Sequence, residues 1–278
     1  MTSTETATLR PDVAELLRIA VDVVRLAAET AQAMRAEAIR NPATKTTRTD
    51  VVTAADRAVE RMVVAHLRRV RPGDTVLGEE FGATGTGRTA EGAVRWVLDP
   101  IDGTVNYLYG VGPYAVSLAA ELDGRVVCGV VREASTGEEW TAVRGGGAFR
   151  DGRRLTGSPV TDLGQALVAT GFAYDSARRR HQARVLAGLL PEVRDIRRLG
   201  AAAVDLCLAA EGRVDAYFEK GLNPWDYAAG ALIAQEAGLI VSGLAGAPAG
   251  PEFLLAAPPG IRDALHDRLV ELDAAGGP

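Results

Sequence analysis

The sequence predicts a layered α/β fold, a single domain over residues 1–278 with one lobe at about 10–155 and a second at about 156–275. Three observations predict it. Two long stretches carry apolar residues at helical spacing, a middle region joins apolar runs through tight turns, and beyond about residue 155 strand-like and helix-like segments alternate.

Residues 12–40, DVAELLRIAVDVVRLAAETAQAMRAEAIR, repeat Leu, Ile, Val and Ala at helical spacing. Asn41-Pro42 ends that helix, because proline disfavours helical geometry in the residue before it. After the polar ATKTTRTD, a second helix runs from near Val52 to about Val70 and stops at Arg71-Pro72-Gly73. TVLG and VRWVLD read as strands, and the Gly- and Thr-rich FGATGTGRTAEGA between them predicts a mobile surface loop. YAVSLAAEL and RVVCGVV flank Asp123-Gly124, a strong hairpin signal. EEWTAVRG and GAFRDGRRL extend the β-rich middle, with a further turn at Asp151-Gly152. Then ALVATGF reads as a strand, ARRRHQARVLAGLL as a helix and GAAAVDLCLAAEG as an Ala-rich helix. VDAYFEKG is a strand, Pro224 to about Gly238 a helix, FLLAAPPG a late strand and IRDALHDRLVEL the closing helix. No internal repeat or low-complexity linker interrupts the series.

Composition narrows the functional classes. With 31 Lys and Arg against 36 Asp and Glu, the formal net charge is −5, which gives nucleic acid no basic footprint. No apolar run reaches the ~18–20 residues a membrane helix needs. MTSTETATLRPD lacks a basic segment followed by an apolar core, so no signal peptide is expected. Cys128 and Cys207 lie in the apolar GRVVCGVV and AVDLCLAA, form no CxxC pair and suit no zinc site. They read as buried free thiols, and a reducing cytoplasm is the expected location.

The informative acids stand where strands end and helices begin, the places where ligands bind in α/β sheets. Glu79 follows TVLG, Asp99 follows WVL, and Asp226 sits just inside the helix opened by Pro224-Trp225. Singly, each has an ordinary structural role: Glu79 as a solvated loop acid, Asp99 as a turn former, Asp226 as a helix-dipole partner. Asp99-Pro-Ile-Asp102-Gly-Thr104 changes the balance. Pro100 stiffens the segment, Gly103 permits close backbone approach to a bound group, and the two aspartates can converge on one point. A hard divalent cation offsets their repulsion, and an all-oxygen donor set without His or Cys suits magnesium or manganese. The adjacent Gly-Thr offers N–H groups and a hydroxyl to phosphate oxygens. Together these suggest metal-assisted phosphoryl hydrolysis.

Four blocks in order resemble the magnesium-dependent, lithium-sensitive inositol monophosphatase family: KTTRTDVVTAAD at 45–56, GEE at 78–80, WVLDPIDGTVNY at 96–107 and WDYAAGALIAQEAG at 225–238. The resemblance implies an αβαβα sandwich of the kind shared with fructose-1,6-bisphosphatase, and a homodimer. It implies that Glu79, Asp99 and the Ile101 carbonyl ligate one magnesium ion and that Asp99, Asp102 and Asp226 hold a second. A third, weaker site would use Glu79 and waters. Gly103 and Thr104 would bind phosphate, Thr104 with Asp56 would orient and deprotonate a metal-activated water, and Lys45 would support the active-site loop. Glu219 and the backbone at Ala202 would meet substrate hydroxyls. The sequence departs from common bacterial members at Ala201 and Val105, where hydroxyl residues are frequent. VRDIRRLGAAAVDLCLAAEGRVDAYFEKG is most similar to the SuhB-type bacterial branch.

The implied reaction is hydrolysis of a small phosphate monoester, foremost myo-inositol 1-phosphate. Histidinol phosphate, fructose 1,6-bisphosphate and 3′-phosphoadenosine 5′-phosphate are the alternatives within the family. The binding of transcription machinery known among SuhB-type proteins is the alternative outside catalysis. Arg178–Arg180 and Arg197-Arg198 read as solvated flanks or, on that alternative, as a partner surface. Glu219 is either a hydroxyl acceptor or a surface acid paired with Lys220 or Arg213. The glycine-rich 82–93 segment has the composition of a lid.

Overall fold

The structure, a computed structural model, describes residues 12–40, 48–85 and 93–278. Helix α1 (Val13–Arg40) buries one face, with Leu16, Ile19, Ala20, Val23, Val24, Ala27 and Ala31 turned inward at three- and four-residue steps. Helix α2 (Arg48–Val70) begins four residues before the expected Val52 and adds Ala55, Val59, Val63 and Leu67 to the same core.

Strands β1 (Thr75–Gly78), β2 (Gly82–Thr84) and β3 (Val94–Asp102) follow, then the short helix α3 (Thr104–Tyr109). Next come β4 (Ala115–Leu122), β5 (Arg125–Glu133), β6 (Glu139–Val143), β7 (Gly147–Arg150) and β8 (Arg153–Arg154). They form an eight-stranded sheet in the order β2-β1-β3-β4-β5-β6-β7-β8, with β1 and β3 parallel. Asp123-Gly124 and Asp151-Gly152 make the expected turns, with φ of 51° and 76° in the first and 47° and 81° in the second. The stretch expected to be a mobile loop begins otherwise: Gly82–Thr84 turns back on β1 and pairs with it, Gly78 opposite Gly82. Residues 86–92 of that segment lie outside the described residues.

The second half contributes β9 (Leu167–Thr170), α4 (Ser176–Leu189), β10 (Asp195–Arg197), α5 (Ala202–Glu211) and β11 (Ala216–Glu219). It continues through α6 (Pro224–Glu236), β12 (Ile240–Ser242), β13 (Leu254–Ala257) and α7 (Pro259–Glu271). The strands form a five-stranded sheet in the order β10-β9-β11-β13-β12. The two strands of this sheet that the sequence did not predict, β10 and β12, are its three-residue edges, too short to carry a period of their own.

Five layers result, α1 and α2 on the first sheet, α5 and α6 between the two sheets, and α4 and α7 outside the second, the αβαβα sandwich expected from the resemblance. In β3, Trp96 and Leu98 enter the core under α1 and α2 while Val97 enters the core around α5 and α6, since successive strand residues face opposite ways. With both faces covered, the strand reads as a continuous apolar run. Helix α5 is buried at every position from Ala202 to Ala210, which explains its apolar, Ala-rich composition. Cys128 and Cys207 are free and buried, and burial pushes the Cys128 thiol up to about 12.

Close packing of α6 on the first sheet depends on Gly129 in β5. A Cβ there would lie 2.9 Å from the Cα of Ala229 and 3.3 Å from its carbonyl oxygen. Gly129→Val is therefore expected to destabilise the fold by about 2–3 kcal/mol, read as a lower chemical-denaturation midpoint. An unchanged midpoint would show that α6 moves away freely.

Candidate active site

Parallel strands β1 and β3 end side by side, so Gly78 delivers Glu79 to the place where β3 presents Asp99 and Asp102. The sequence predicts a turn after Asp99, but the strand continues to Asp102 as an irregular segment. Pairing with β4 skips from Asp99–Ser117 to Asp102–Ala115. Pro100 has no N–H to give the ladder, and the Ile101 N–H donates to Asp99 Oδ1 at 3.0 Å. Gly103 follows with φ of 87°, and a Cβ there would lie 2.8 Å from the Pro113 oxygen and 3.1 Å from Ala201 Cβ. Both the conformation and the space require glycine. Thr104 then opens α3, and its hydroxyl donates to the Ile101 carbonyl at 3.2 Å.

A cavity of about 350 Å³ is lined by Glu79, Asp99, Ile101, Asp102, Gly103 and Thr104 from the first half of the chain. Ala202, Glu219 and Asp226 line it from the second half. Asp102 is held by α5, whose first N–H groups, those of Ala202 and Ala203, donate to its two oxygens at 3.2 and 2.8 Å. The positive end of a buried helix thus faces this carboxylate. Asp226 accepts the Asn223 N–H at 2.6 Å, so its role at the start of α6 coexists with a place in the cavity wall. Asp56 lies behind this wall on α2, 3% exposed, with Oδ1 lacking a hydrogen-bond partner among the described residues. Lys45 lies outside the described residues.

The acids raise one another's pKa. Burial, then the charges of Glu79, Asp102, Asp226 and Asp56, holds Asp99 far above the usual carboxylate range. Burial and Asp226 push Asp102 up to about 8, against the pull of the two α5 N–H groups. Glu79 rises to about 7 through burial, Asp226 and Glu80, and Asp56 to about 8 through burial and Glu79. Asp226 is raised by burial. Asp99 thus stands among Glu79, Asp102 and Asp226, whose charges all oppose its ionisation.

Among the described residues no group of three acids, histidines or cysteines is arranged to hold a metal ion as it stands. Asp99, Asp102 and Asp226 instead accept hydrogen bonds from backbone N–H groups. Their chemistry nevertheless fits hard cations. Four oxygen-donor acids, of which Asp99 and Asp102 are buried and Asp226 half-buried, repel each other in one cavity whose wall contains no His or Cys.

Several residues of this site escaped the sequence reading. Glu60, one helical turn beyond Asp56, is fully buried and accepts the N–H groups of Glu80 and Phe81 at 2.9 and 3.1 Å, which pins the turn that carries Glu79. Gly78 lies flat against it, since a Cβ there would fall 2.1 Å from Glu60 Oε1. The four-residue step from Asp56 was the only signal, and surface helices have the same step. Arg178 and Arg198, from the two arginine runs read as solvated flanks, line the cavity. The Arg198 guanidinium stands 5.9 Å over the Phe172 ring, and Arg178 Nε donates to the Pro278 carbonyl. Arg197 is exposed and paired with Asp195. Neither cation suggested for Glu219 reaches it: Lys220 donates to the Gly276 and Gly277 carbonyls, and Arg213 pairs with Glu138.

Residues 12–273 match the inositol monophosphatase family profile. An inositol-1-monophosphatase of Mycobacterium leprae is 48% identical over 228 residues, 80% of this chain and 78% of that protein. A protein named Nus factor SuhB in Pseudomonas aeruginosa is 43% identical over 201 residues, 71% of this chain and 73% of its own length. The solved structure of Mycobacterium tuberculosis SuhB superposes with a TM-score of 0.81 at 39% identity, covering 95% of this chain and 99% of that one.

Proposed function

The chain belongs to the inositol monophosphatase family, and we propose that it hydrolyses myo-inositol 1-phosphate to myo-inositol and phosphate with magnesium as its cofactor. The observation that carries this reading is the cavity itself. Glu79, Asp99, Asp102 and Asp226 meet there, and Glu219 faces the same space, paired with neither Lys220 nor Arg213.

Glu79, Asp99 and the Ile101 carbonyl would hold one ion, and Asp99, Asp102 and Asp226 another. Bound magnesium supplies the positive charge that lets these acids ionise together and that polarises the phosphate. Gly103 and Thr104 fix the phosphate oxygens. Thr104 and Asp56 would orient the attacking water, and Asp56 Oδ1, which has no hydrogen-bond partner among the described residues, would accept its proton. The attack is direct, with no covalent phosphoenzyme, and the departing alkoxide takes up a proton to leave as the alcohol. Glu219 accepts hydrogen bonds from the hydroxyls of the alcohol, and Ala202 borders the same space.

Phosphate release tests the assignment across inositol 1-phosphate, histidinol phosphate, fructose 1,6-bisphosphate and 3′-phosphoadenosine 5′-phosphate in magnesium. The highest kcat/KM is expected on inositol 1-phosphate. A clear preference for histidinol phosphate or the adenosine bisphosphate would overturn the substrate. Likeness to a protein named Nus factor supports a second reading, in which the chain also docks on transcription machinery. That role would persist in a variant unable to hydrolyse.

The reading includes a homodimer in the cytoplasm. Among the described residues no helix is long and apolar enough to cross a membrane.

A further inference from the structure

Glu219 closes β11 and lines the cavity, and Tyr217, two residues earlier in that strand, lies on the same face. Tyr217 is 0% exposed, packed in the core around α5 and α6. Its hydroxyl donates to Glu219 Oε2 at 2.6 Å. Gly171 lies against the same carboxyl, just beyond the end of β9, which pairs with β11. A Cβ at 171 would stand 1.9 Å from Oε2 and 2.2 Å from Cδ, so a glycine is what leaves the slot that the carboxyl fills. Burial raises Glu219 to about 7, while the Tyr217 hydroxyl and the Arg198 charge favour its ionised form. One oxygen is therefore tied from the inside of the fold. Among the described residues Tyr217 is the one hydrogen-bond donor to this side chain, which leaves Oε1 for a ligand.

We propose that Tyr217 is a positioning residue for substrate selection, acting through Glu219 to fix one carboxylate oxygen where a hydroxyl of the substrate alcohol donates to it. The inference rests on the reading of Glu219 as a hydroxyl acceptor. The class selected is a monoester whose alcohol carries free hydroxyls near the phosphate, and a bare aryl phosphate gains nothing from the arrangement. A buried tyrosine hydroxyl needs a partner in any fold, so a purely structural bond is the competing account, and the kinetics separate the two.

Tyr217→Phe keeps the volume and removes the hydroxyl. Its kcat and KM are measured in magnesium on inositol 1-phosphate and on 4-nitrophenyl phosphate, whose alcohol has no free hydroxyl. KM for inositol 1-phosphate is expected to rise about five- to tenfold with kcat within about twofold, the size of a weakened hydrogen bond to a charged group. Both constants for 4-nitrophenyl phosphate stay as in the unmodified protein. Glu219→Ala raises KM for inositol 1-phosphate at least as far, and the double variant is no worse than Glu219→Ala alone. Equal losses on both substrates, no loss on either, or additive effects in the double variant would each overturn the role of Tyr217. An unchanged KM in Glu219→Ala would remove the reading of Glu219 and this inference with it, a result distinct from failure of Tyr217 alone.

Discussion

Asp99→Asn is expected to lower kcat/KM on inositol 1-phosphate by about 10²–10³-fold or more without destabilising the protein. Asp99 is the shared member of the cluster, with the charges of Glu79, Asp102 and Asp226 all acting on it. Asparagine keeps the shape but removes the charge, and its amide offers two donors to neighbouring carboxylates where a cation would otherwise sit. Losing one preorganised electrostatic group at a phosphoryl centre costs rate on this scale. The fold has the opposite stake, since a buried carboxyl whose pKa is driven far up is unfavourable when ionised. The variant should melt at or above the temperature of the unmodified chain in chelator, and magnesium should raise its melting temperature by less. Normal turnover at saturating magnesium would overturn the proposed cation mechanism. Any binding to transcription machinery should survive the change, which makes the same variant the test of the second reading.

The second large effect is a dependence of stability on pH that reverses with magnesium. In chelator, Asp56 and Asp102 titrate near 8 and Glu79 near 7 in the folded chain, against about 4 for these groups unfolded. Between those limits the folded state binds more protons than the unfolded state, so stability falls as pH rises. The contribution is fully present below about pH 4 and lost by about pH 8, and three such groups together amount to several kcal/mol. For a chain of this length that corresponds to a drop in melting temperature on the order of 10 °C between pH 5.5 and 8.5. Magnesium should restore more stability at pH 8.5 than at pH 6, because at the lower pH it competes with protons. A melting temperature that rises with pH in chelator across this window would show that the acids are not the burdened groups.

Much of the site was legible because its chemistry is packed into short segments. Asp99, Asp102, Gly103 and Thr104 lie within six residues, and the need for glycine at 103 follows from a turn that only a positive φ completes. Glu79 and Asp226 were readable because they stand at an element end and an element start. Glu60 was not, since its role is to hold two N–H groups of a turn some twenty residues away, and nothing in a helical Glu announces a distant partner. Arg198 was not, since its neighbour Arg197 is an exposed, paired arginine of the same run. The edge strands β10 and β12 exist only because a neighbour pairs with them.

The sequence by itself determined the elements, the layered class and the identity of the acids, because periodicity, turn chemistry and strand-end placement are local properties of a chain. Only the tertiary structure decided what those acids face. Packing α5 and α6 between two sheets brings Asp102 and Glu219, 117 positions apart in the sequence, into one cavity and turns the first N–H groups of α5 onto Asp102. It sends Lys220 and Arg213 to other partners and sets Tyr217 and Gly171 against the carboxyl of Glu219. Burial raises a carboxyl's pKa and a close neighbour orients it, and both depend on distances through space that spacing along the chain does not encode.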